Sequence, residues 1–423
     1  MASWAQAAGA AERVYETSVK NAQPACSILQ SRNPLDGSFK RISESYQLGV
    51  LLQPPNSVLY AGSSPVKTSL PTVRPMIIGQ ASAASYEVDV HEETPWVVIS
   101  RLEGEAAIED YFLLLETAMM RVGKTRHEID ILFGQQALGT VESVGGSASA
   151  GTITFTAATY RSGLFWALGP GATMDAFTST TKNNATEAIV LVGVSRTVDR
   201  TINITCGGTL GSEIAAGDTI WLEGSWTGSA FNQMPGLVTQ AANVTGDSLG
   251  LSAATYPNWG GNTDSVGGPM TSDVLEGYLG ELRNRDQEGK LTAYMPEAVW
   301  RQVFEEVQGM RYVDSSYSPT KQKIGNQEIE YTTNRFNNVE LVVHPLLGDQ
   351  EMLILKDSST TRIGSRDVMF GLPISLGGNP SDPKPGILQI TGTNAGEAYV
   401  TVDAGVVLRE PASSYSLTGI SVS

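Results

Sequence analysis

Cysteine is nearly absent from the sequence. The 423 residues include 2 cysteines, Cys26 and Cys206, which lie far apart and outside any CxxC or histidine-rich context. They therefore predict neither a disulfide framework nor a zinc site. We expect both to be small, buried side chains.

Histidine is also scarce, with 3 residues at His91, His127 and His344. His127 and Glu128 lack the second histidine that zinc proteases place four residues after the first. We predict no metal site. Each imidazole is expected to be satisfied by hydrogen bonds or exposed to solvent.

Charge is low, and positive charge lowest. Charged residues make up 17% of the chain, and 28 lysines and arginines stand against 44 aspartates and glutamates, for a net charge of -16. Together with 41% hydrophobic residues, this profile excludes an acidic disordered chain and a coiled coil. The negative charge repels phosphate groups and anionic lipids, which disfavours sequence-wide binding of nucleic acid.

Long apolar runs are missing as well. The longest, around Tyr111 to Met120, is interrupted by Glu116 and is shorter than the ~20 residues that cross a bilayer. No basic side chain precedes Arg13, and Trp4 and Gln6 break the first alanine-rich stretch, so the layout of a secretion signal is not seen. We expect a soluble protein without a membrane partner.

No motif carries recognisable catalytic chemistry. Ala118 to Thr125 fits a relaxed phosphate-loop pattern, but Met119, Met120 and Val122 are bulky residues in a helical stretch, where a phosphate cradle needs a glycine-rich turn. The GxSxG elbow of serine hydrolases does not occur. Nucleotide binding and acyl transfer are therefore not expected.

Two pairs of adjacent carboxylates, Glu92-Glu93 and Glu305-Glu306, could in principle serve as the acid and base of a glycosidase. Adjacent residues on one strand or helix point in different directions, so we interpret both pairs as solvated faces. The sequence thus predicts no catalytic, cofactor-binding or metal-binding residues, and the protein is not expected to be an enzyme.

The chain does contain enough apolar residues for a large core. Its length exceeds the usual size of a single core, so about two to four domains or one elaborated fold are expected. Residues up to about Phe39 are interpreted as an arm. From Arg41 to Ile99, prolines at 54, 55, 65, 71 and 75 forbid a long helix but suit a protruding two-stranded loop. Tyr86, Val88 and Val90 alternate with polar residues and predict its returning strand.

The period of the apolar residues changes to that of a helix between Glu105 and Phe133. Acidic residues lie near the start of this segment and basic residues in its second half, as the helix dipole favours. At ~1.5 Å per residue the helix would be roughly 40 Å long, and we expect it to support the whole subunit. Its apolar stripe consists of Ile108, Tyr111, Phe112, Leu115, Met119, Val122, Ile129 and Leu132.

Between Val144 and Ser265 the composition shifts to glycine, serine, threonine, alanine and asparagine. Short apolar runs separated by glycine turns predict a small antiparallel β-domain, inserted between the helical parts. The runs are Ile189 to Val194, Thr201 to Thr205, Thr219 to Leu222 and Leu237 to Thr239.

After the insertion, helix and strand patterns alternate, which is typical of an α+β protein. We predict a helix over Ser272 to Arg285, with Asp273 and Glu276 as a capping pair, and a strand over Leu291 to Met295. Pro296 is expected to open a second helix. The strands predicted next are Val339 to Val343 and Met352 to Leu355, followed by a β-rich tail.

This order of elements resembles the major capsid protein of tailed bacteriophages, the Hong-Kong-97-like or Johnson fold. Ile131 to Gly134, leading through Gly139, resembles the turn that ends the spine helix of that family. Leu291 to Met295, with Pro296 and Trp300, resembles the strand and the tryptophan-bearing helix of its axial domain. Further likenesses are the paired strands Val339 to Pro345 and Met352 to Leu355, and the stretch Gly250 to Gly268, where an inserted β-domain re-enters the fold in some phage capsids.

The resemblance implies a division of the chain into parts with separate roles. Residues 1–40 would form an N-terminal arm, 41–100 an extended loop, 101–160 the spine helix and peripheral domain, and 161–186 a connector. Residues 187–262 would form the inserted small antiparallel β-domain, 263–376 the axial domain, and 377–423 the β return to the peripheral domain. The arm and the loop would clasp neighbouring subunits.

The resemblance also implies a structural protein without cofactors, a major capsid protein that assembles as hexamers and pentamers into an icosahedral shell around double-stranded phage DNA. Some relatives carry a charged N-terminal scaffolding segment, and the stretch before Arg41 is too short and uncharged for one. A separate scaffolding protein would then be a partner, besides a portal and optional cement proteins. An acidic wall would hold the DNA without sequence-specific contacts. The protein would be made in the cytoplasm of a host bacterium and end in the virion.

Two other functions remain open at this point. An encapsulin-like shell protein shares the fold and differs by a groove for a cargo peptide, which the sequence does not reveal. A β-rich surface or carbohydrate-binding protein would present an aromatic platform. Trp221, Trp226 and Trp259 could form one, although packing in a core is the more common role of tryptophan.

Overall fold

The computed structural model describes residues 27–39, 41–42, 45–54, 76–95, 105–146, 149–184, 188–285, 289–311, 322–324, 327–329, 339–370, 387–389 and 395–422. Cys26, most of the predicted arm and the prolines at 55, 65, 71 and 75 lie outside these residues. The side chains of Glu305 and Glu306 also lie outside the description.

The helices and strands of the described residues are numbered in chain order. The helices are α1 (Ile28–Arg32), α2 (Glu105–Phe133), α3 (Ser162–Leu168), α4 (Leu210–Glu213), α5 (Leu237–Ala242), α6 (Ser272–Asn284) and α7 (Glu297–Arg311). The strands are β1 (Arg41–Ile42), β2 (Ser45–Gln53), β3 (Ile77–Ala83), β4 (Tyr86–Pro95), β5 (Gly139–Gly145), β6 (Ala150–Phe155), β7 (Thr173–Thr178), β8 (Thr181–Lys182), β9 (Ile189–Val194), β10 (Thr201–Thr205), β11 (Thr219–Leu222), β12 (Asp247–Ser248), β13 (Leu251–Ser252), β14 (Thr263–Ser265), β15 (Leu291–Met295), β16 (Gln322–Ile324), β17 (Gln327–Ile329), β18 (Val339–Val343), β19 (Met352–Lys356), β20 (Thr360–Phe370), β21 (Ile387–Gln389), β22 (Ala395–Leu408) and β23 (Tyr415–Thr418).

The predicted two-stranded loop is an antiparallel ribbon of β2 and β3, with β1 on the other edge of β2. Alternate residues of β2 are buried and exposed, so the ribbon has two distinct faces. The inner face packs on Trp259, which is 1% exposed and donates its Nε1 hydrogen to Ser248 O at 3.0 Å. The inner face of the ribbon is therefore anchored, from Tyr46 to Leu52, on residues 249–259.

Helix α2, the spine helix, has the bounds that the sequence predicts. It lies on an antiparallel sheet in which β22 pairs with β20, β21 and β4. Met119 on the helix is buried against Val400 and Val402 of β22, and Val88 and Val90 of β4 pack on the same core. The alternating pattern of β4 gives it one apolar face, as predicted. β4 is not the returning strand of the ribbon, however, because it pairs with β22 beneath the spine helix, and the strand that returns beside β2 is β3. Alternation marks a strand but does not show its partner.

The close packing of this layer leads to a testable prediction. A Cβ atom at Gly123 of α2 would lie 2.8 Å from Cγ1 of Val400, a rigid side chain, whereas a Cβ atom at Gly277 of α6 would meet nothing within 4 Å. Gly123→Ala should destabilise the protein by about 1–3 kcal/mol through overpacking. Gly277→Ala should stabilise it by up to about 1 kcal/mol through helix propensity. Urea unfolding of both variants checks this, and two effects of the same sign would contradict it.

A closed barrel follows the spine helix. Its strands lie in the order β11-β5-β6-β10-β9-β7. The last strand, β7, also pairs with the first, β11, and this pairing closes the barrel. The short strand β8 pairs with β7. Phe155, Met174 and Ile202 are fully buried in its core. Closure removes the unpaired sheet edges, which a smaller set of strands would leave open.

The barrel therefore extends over residues 139–222, and not over the β-domain expected at 187–262. Strands β5, β6 and β7 precede residue 187, and residues 161–186, expected as a connector, contain α3 and β7. The strand pairing does not change at the predicted boundary. The glycine and threonine composition marks the region, but it does not show which strands pair.

The strand predicted at Leu237 to Thr239 is wrong, because these residues begin helix α5. Leu237 and Ala241 lie one turn apart on the buried face of the helix. Three residues of an apolar run are too few to separate a period of 2 from one of 3.6.

The second large sheet has the order β14-β23-β19-β15-β18, with β15 parallel to β18 and antiparallel to β19. Helices α6 and α7 cover it, and Leu275, Leu279 and Val299 are fully buried there. The predicted helices and the strands β15, β18 and β19 are confirmed, and α7 begins directly after Pro296. The predicted capping pair is wrong, because the side chain of Thr271 caps α6 by accepting from Val274 N at 3.3 Å.

Near its C-terminus the chain passes between the two large sheets. Strand β20 (360–370) pairs with β22 beneath the spine helix, although 263–376 was expected to be axial. Strand β23 (415–418) pairs with β14 and β19, although 377–423 was expected to be peripheral. A strand pattern marks the strand itself but not the sheet that it joins.

Candidate functional site

The last turns of the spine helix bury polar side chains in the middle of the protein. Thr125, His127, Glu128 and Asp130 are each at most 5% exposed. Buried polar and charged groups are costly unless they are paired. His127, Glu128 and Asp130, together with their partners, are named the spine junction below, because each one contacts a different part of the chain.

Glu128 holds helix α1 of the arm. Its Oε1 accepts from Leu29 N at 2.6 Å, and its Oε2 accepts from Gln30 N at 3.1 Å. The first amides of a helix have no partner inside the helix and favour an anion, so the carboxylate satisfies them directly. Helix α1 is thereby fixed to the spine helix.

His344 extends this contact to the sheet that contains β18. Its Nε2 lies 3.2 Å from Glu128 Oε1, and its Nδ1 accepts from Leu346 N at 3.4 Å. Since Nδ1 accepts, the hydrogen is on Nε2 and is donated to the carboxylate. His344 directly follows β18. One carboxylate therefore joins α1, the spine helix and the sheet of β15 and β18.

His127 faces the sheet beneath the spine helix. Its Nε2 accepts from Arg362 Nη2 at 3.0 Å, and the same nitrogen of Arg362 donates to Asp367 Oδ1 at 2.7 Å. Burial, and then the charge of Arg362, lower the pKa of His127 to about 3. The imidazole is therefore uncharged at neutral pH. Arg362 also donates from Nη1 to Asn33 O at 3.3 Å, which adds a second tie to the arm.

Asp130 faces the segment that leaves the barrel. Gln233 Nε2 donates to Asp130 Oδ1 at 2.9 Å. Burial raises the pKa of Asp130 to about 7, against the smaller opposing effects of Arg126 and the Gln233 hydrogen bond. This carboxyl group is thus poised to change charge near neutral pH.

A buried ion pair lies beside the junction. Arg161, directly before α3, donates from Nε to Glu351 Oε2 at 2.9 Å and from Nη2 to Glu351 Oε1 at 2.6 Å. Its guanidinium carbon lies 4.1 Å from the ring centroid of Phe133, the last residue of the spine helix. This bidentate pair ties the barrel to the loop before β19 with fixed geometry.

Removal of the Glu128 charge has a predicted outcome. Glu128→Gln keeps the shape of the side chain but loses one of the acceptor oxygens on which the amides of α1 depend. A buried donor left unpaired costs about 1–3 kcal/mol, so unfolding free energy should fall by that amount. Glu116→Gln, at an exposed position of the same helix, is the control and should change it by less than about 0.5 kcal/mol. Equal effects of the two variants in urea unfolding would contradict the role of Glu128.

The residues considered as candidate sites in the sequence analysis do not form binding or catalytic sites in the described part of the structure. Ala118 to Thr125 lie within helix α2, so no phosphate-binding turn is present there. His91 is exposed, and Glu92 and Glu93 are exposed on β4. Cys206 is buried and donates from Sγ to Gly208 O at 3.2 Å.

Within the described ranges, no group of three or more histidine, cysteine, aspartate or glutamate side chains is arranged to hold a metal ion. Within the same ranges, no helix combines the length and apolar character that a membrane span requires.

The three tryptophans considered for an aromatic platform do not lie together. The ring centroids of Trp221 and Trp226 on the barrel lie 4.7 Å apart with the rings tilted by 39°, and the ring of Phe177 lies 4.6 Å from Trp226. Trp259 lies in a separate cluster under the ribbon. Trp221 and Trp259 are buried, so each has a packing role.

The outer face of the ribbon is exposed and carries one apolar pair beside polar residues. Leu51 and Ile78 are opposite each other in the register of β2 and β3, and they are 54% and 60% exposed. Met76, at the start of the returning strand, is also exposed. An apolar cross-strand pair on a protruding ribbon is a surface suited to contact with another protein chain.

Comparison with known proteins gives structural matches alone. The sequence matches no family model and no curated protein. Among solved structures, a chain of the cyanophage A-1(L) capsid asymmetric unit has 10% identity and a TM-score of 0.54, over 95% of this chain and 95% of that chain. A chain of the capsid of Myoviridae phage XM1 has 8% identity and a TM-score of 0.47, over 96% of each chain. A chain of the holo-SrpI encapsulin complex from Synechococcus elongatus has 8% identity and a TM-score of 0.42, over 98% of this chain and 96% of that chain.

At 10% identity the cyanophage match concerns the fold and not the activity. Because it extends over 95% of each chain, it concerns the fold as a whole and not one part of it. The chain therefore has the α+β fold of phage capsid proteins, as the order of its elements in the sequence predicts.

Proposed function

We propose that the chain is the major capsid protein of a tailed bacteriophage, a structural protein that assembles with copies of itself into an icosahedral shell. The observation that carries this proposal is the phage capsid fold, which the chain shares along 95% of its length with a chain of the cyanophage capsid. A fold can serve several functions, so the exposed surfaces of the chain must also suit assembly.

The ribbon supplies such a surface. A two-stranded ribbon is marginally stable by itself, and here one of its faces packs on the chain's own core while Leu51 and Ile78 on the other face are exposed. Leu51 and Ile78 are each a little over half exposed, so each would gain about 1–2 kcal/mol if a neighbouring subunit covered it. Contacts repeated around closed rings add up, so modest contacts of this kind suffice for a shell.

The proposed partners follow from this role. Copies of the chain form hexamers and pentamers, and a separate scaffolding protein, a portal and cement proteins complete the particle. The cargo is double-stranded DNA held without sequence-specific contacts, in keeping with the net charge of -16. The protein has no enzymatic activity, is made in the cytoplasm of the host bacterium and is located in the virion.

Sedimentation velocity of the full chain, expressed alone and with the proteins encoded beside it, tests the proposal. The expected result is a discrete species of megadalton mass in at least one of these preparations. A strictly monomeric chain in all of them would contradict the proposal.

A further inference from the structure

Strand β3 of the ribbon has one open edge among the described residues. The ribbon sheet has the order β1-β2-β3, so β2 is paired on both sides, while no described strand pairs with the far side of β3. One contact is made there, because Ser82 N donates to Leu249 O at 2.8 Å. Leu249 and Gly250 then have φ values of 52° and 80°, and the chain turns away at this point. The edge of β3 before Ser82 is therefore open in the described structure.

The amide of Ser82 shows which backbone groups point to the open edge. In an antiparallel strand, the N–H and C=O groups of one residue point to the same side, and those of the next residue point to the other side. Since the N–H of Ser82 points away from β2, the backbone groups of Gln80 and Ile78 also point away from β2. The one irregularity of the pairing is an extra residue on β2, Leu52, so the alternation along β3 is unbroken. The same alternation, carried back by two residues, adds Met76, which directly precedes the strand.

The sequence of β3 does not protect this edge. Proteins usually protect an open edge with charged side chains, proline or a bulge, because an unprotected edge pairs with other chains. The sequence of β3 is IIGQASA, which contains neither charge nor proline. Strand β4 also has an open edge among the described strands, and it carries four carboxylates, Glu87, Asp89, Glu92 and Glu93. The chain thus protects one open edge with charge and leaves the other able to pair.

We infer that β3 pairs with β3 of a second copy of the chain, antiparallel and about a twofold axis at Ile78. In this register Ile78 is opposite Ile78 of the other copy, and Gln80 is opposite Met76. The backbone groups of all three residues find partners, because the positions 76, 78 and 80 are symmetrical about the central one. Such an interface is isologous, like that of most homodimers. The inference rests on the proposed function, since it names the contact that covers the ribbon in an assembly of identical subunits.

The sequence before β3 agrees with the position of the axis. Pairing about Ile78 ends at Gln80 and Met76, one hydrogen-bonded position before Ser82. Pro75 directly precedes Met76 in the sequence, and a proline has no N–H to continue the pairing. An axis at Gly79 would instead place Met76 of the other copy opposite Ser82, whose N–H already donates to Leu249. The axis at Ile78 therefore leaves the contact of Ser82 intact.

The side chains on the outer face of the ribbon also fit this register. Ile78 is opposite Leu51 within one copy, and both are exposed. Pairing about Ile78 brings the two isoleucines side by side, so two separate apolar pairs become one stripe of four side chains across a sheet of six strands. Apolar cross-strand neighbours stabilise a sheet, whereas like charges at the axis would oppose each other. The stripe thus covers the most exposed apolar side chain of the ribbon, Ile78, with its own copy.

Disulfide formation in the full chain, expressed with the proteins encoded beside it, tests the pairing. Opposite residues that exchange two hydrogen bonds have Cα atoms about 5.5 Å apart, which a disulfide can bridge. Ile78→Cys should therefore link two copies under mild oxidation, and non-reducing gel electrophoresis measures the linked dimer. Leu51→Cys is the matched control, because Leu51 is exposed on the same face but would lie about 14 Å, or three strand spacings, from its own copy. Ile78→Cys should give at least about tenfold more dimer than the control, above the background of the wild type.

A second set of variants tests the register even if Ile78→Cys disturbs the strand. Met76→Cys and Gln80→Cys in one chain should give linked dimers, because each residue is opposite the other one of the second copy. Either substitution alone should give none, since each residue would lie more than about 13 Å from itself in the second copy. Equal linking by the double variant and the two single variants would overturn the register.

The assembly state is measured in the same preparations, so that the inference and the proposed function can fail separately. Linked dimers of Ile78→Cys in excess of Leu51→Cys support the edge pairing whether or not closed shells form. Closed shells in which Ile78→Cys gives no more dimer than Leu51→Cys would overturn the edge pairing and leave the proposed function standing. A chain that is monomeric in every preparation would overturn both.

Discussion

A chain that carries both Leu51→Asp and Ile78→Asp is expected to fold normally and to form no shells. The two side chains are exposed in the single chain, so the substitutions remove no contact from its own core. In a shell, the same positions would place two carboxylates against a neighbouring subunit. The contact would lose about 1–2 kcal/mol of apolar burial at each position, and the buried charges would add a further penalty.

The particle yield should fall at least about tenfold. A loss of about 1.4 kcal/mol lowers the association constant of one contact tenfold, and every subunit of the shell makes this contact. Size-exclusion chromatography measures the yield, and circular dichroism checks that the subunit is folded. Val198→Asp is the matched control, because Val198 is an exposed apolar residue, 55% accessible, in a turn of the barrel. Normal assembly of the ribbon variant, or equal loss in both variants, would contradict the role of the ribbon.

Variants at His127 and Asp130 are expected to change the pH dependence of stability in opposite directions. His127 has a native pKa of about 3, below its ordinary value of 6.5. As the pH falls below 6.5, the unfolded chain binds a proton that the native chain does not, so this residue makes the fold less stable in acid. The loss continues until the pH reaches about 3, at about 1.4 kcal/mol for each pH unit.

Asp130 has the opposite effect, because its native pKa of about 7 is above its ordinary value of 3.8. Between these values the native chain holds a proton that the unfolded chain has lost. Its contribution to stability is fully present below pH 3.8 and is lost as the pH rises to about 7. Between about pH 4 and 6.5 the two slopes therefore cancel in the wild type.

Each single variant should reveal the slope of the other residue. In Asp130→Asn, stability should fall by about 1.4 kcal/mol for each unit of acidification from pH 6.5 to 4, whereas in His127→Gln it should rise by the same amount. The double variant should restore the wild-type slope. Urea unfolding of the unassembled subunit at several pH values measures these slopes. Parallel profiles of the two single variants would show that the residues do not titrate as described.

Much of the fold could be predicted because its signals are local. The stripe over Glu105 to Phe133 repeats through eight turns of helix, so its bounds were recovered without shift. Strand β15 is a short, mostly apolar run that is buried throughout. Gly289 before the run and Pro296 after it mark its two ends in the sequence. The bounds of the barrel could not be predicted in the same way, because its closure depends on the pairing of β7 with β11. The sequences of these two strands do not indicate that they pair with each other.

The spine junction could not be predicted because its partners are distant in sequence. Glu128 and Leu29 are 99 residues apart, and His127 and Arg362 are 235 residues apart. In the sequence, Glu128 and Asp130 alternate with the apolar Ile129 and Ile131 and look like solvated positions of a helix. In the structure, α1, the segment that follows the barrel and β20 pack around the helix end and cover it on all sides. This packing cannot be read from the sequence of the helix. A helix end that is buried on all sides needs paired charges, and sequence periodicity does not show the pairing.

Electron microscopy of particles purified after expression of the full chain with the proteins encoded beside it tests the central claim most directly. The account predicts closed icosahedral shells built of hexamers and pentamers, in which the ribbon of β2 and β3 lies on a neighbouring subunit with Leu51 and Ile78 at the contact. Purified material without closed shells, or shells in which the ribbon touches no other subunit, would contradict the account.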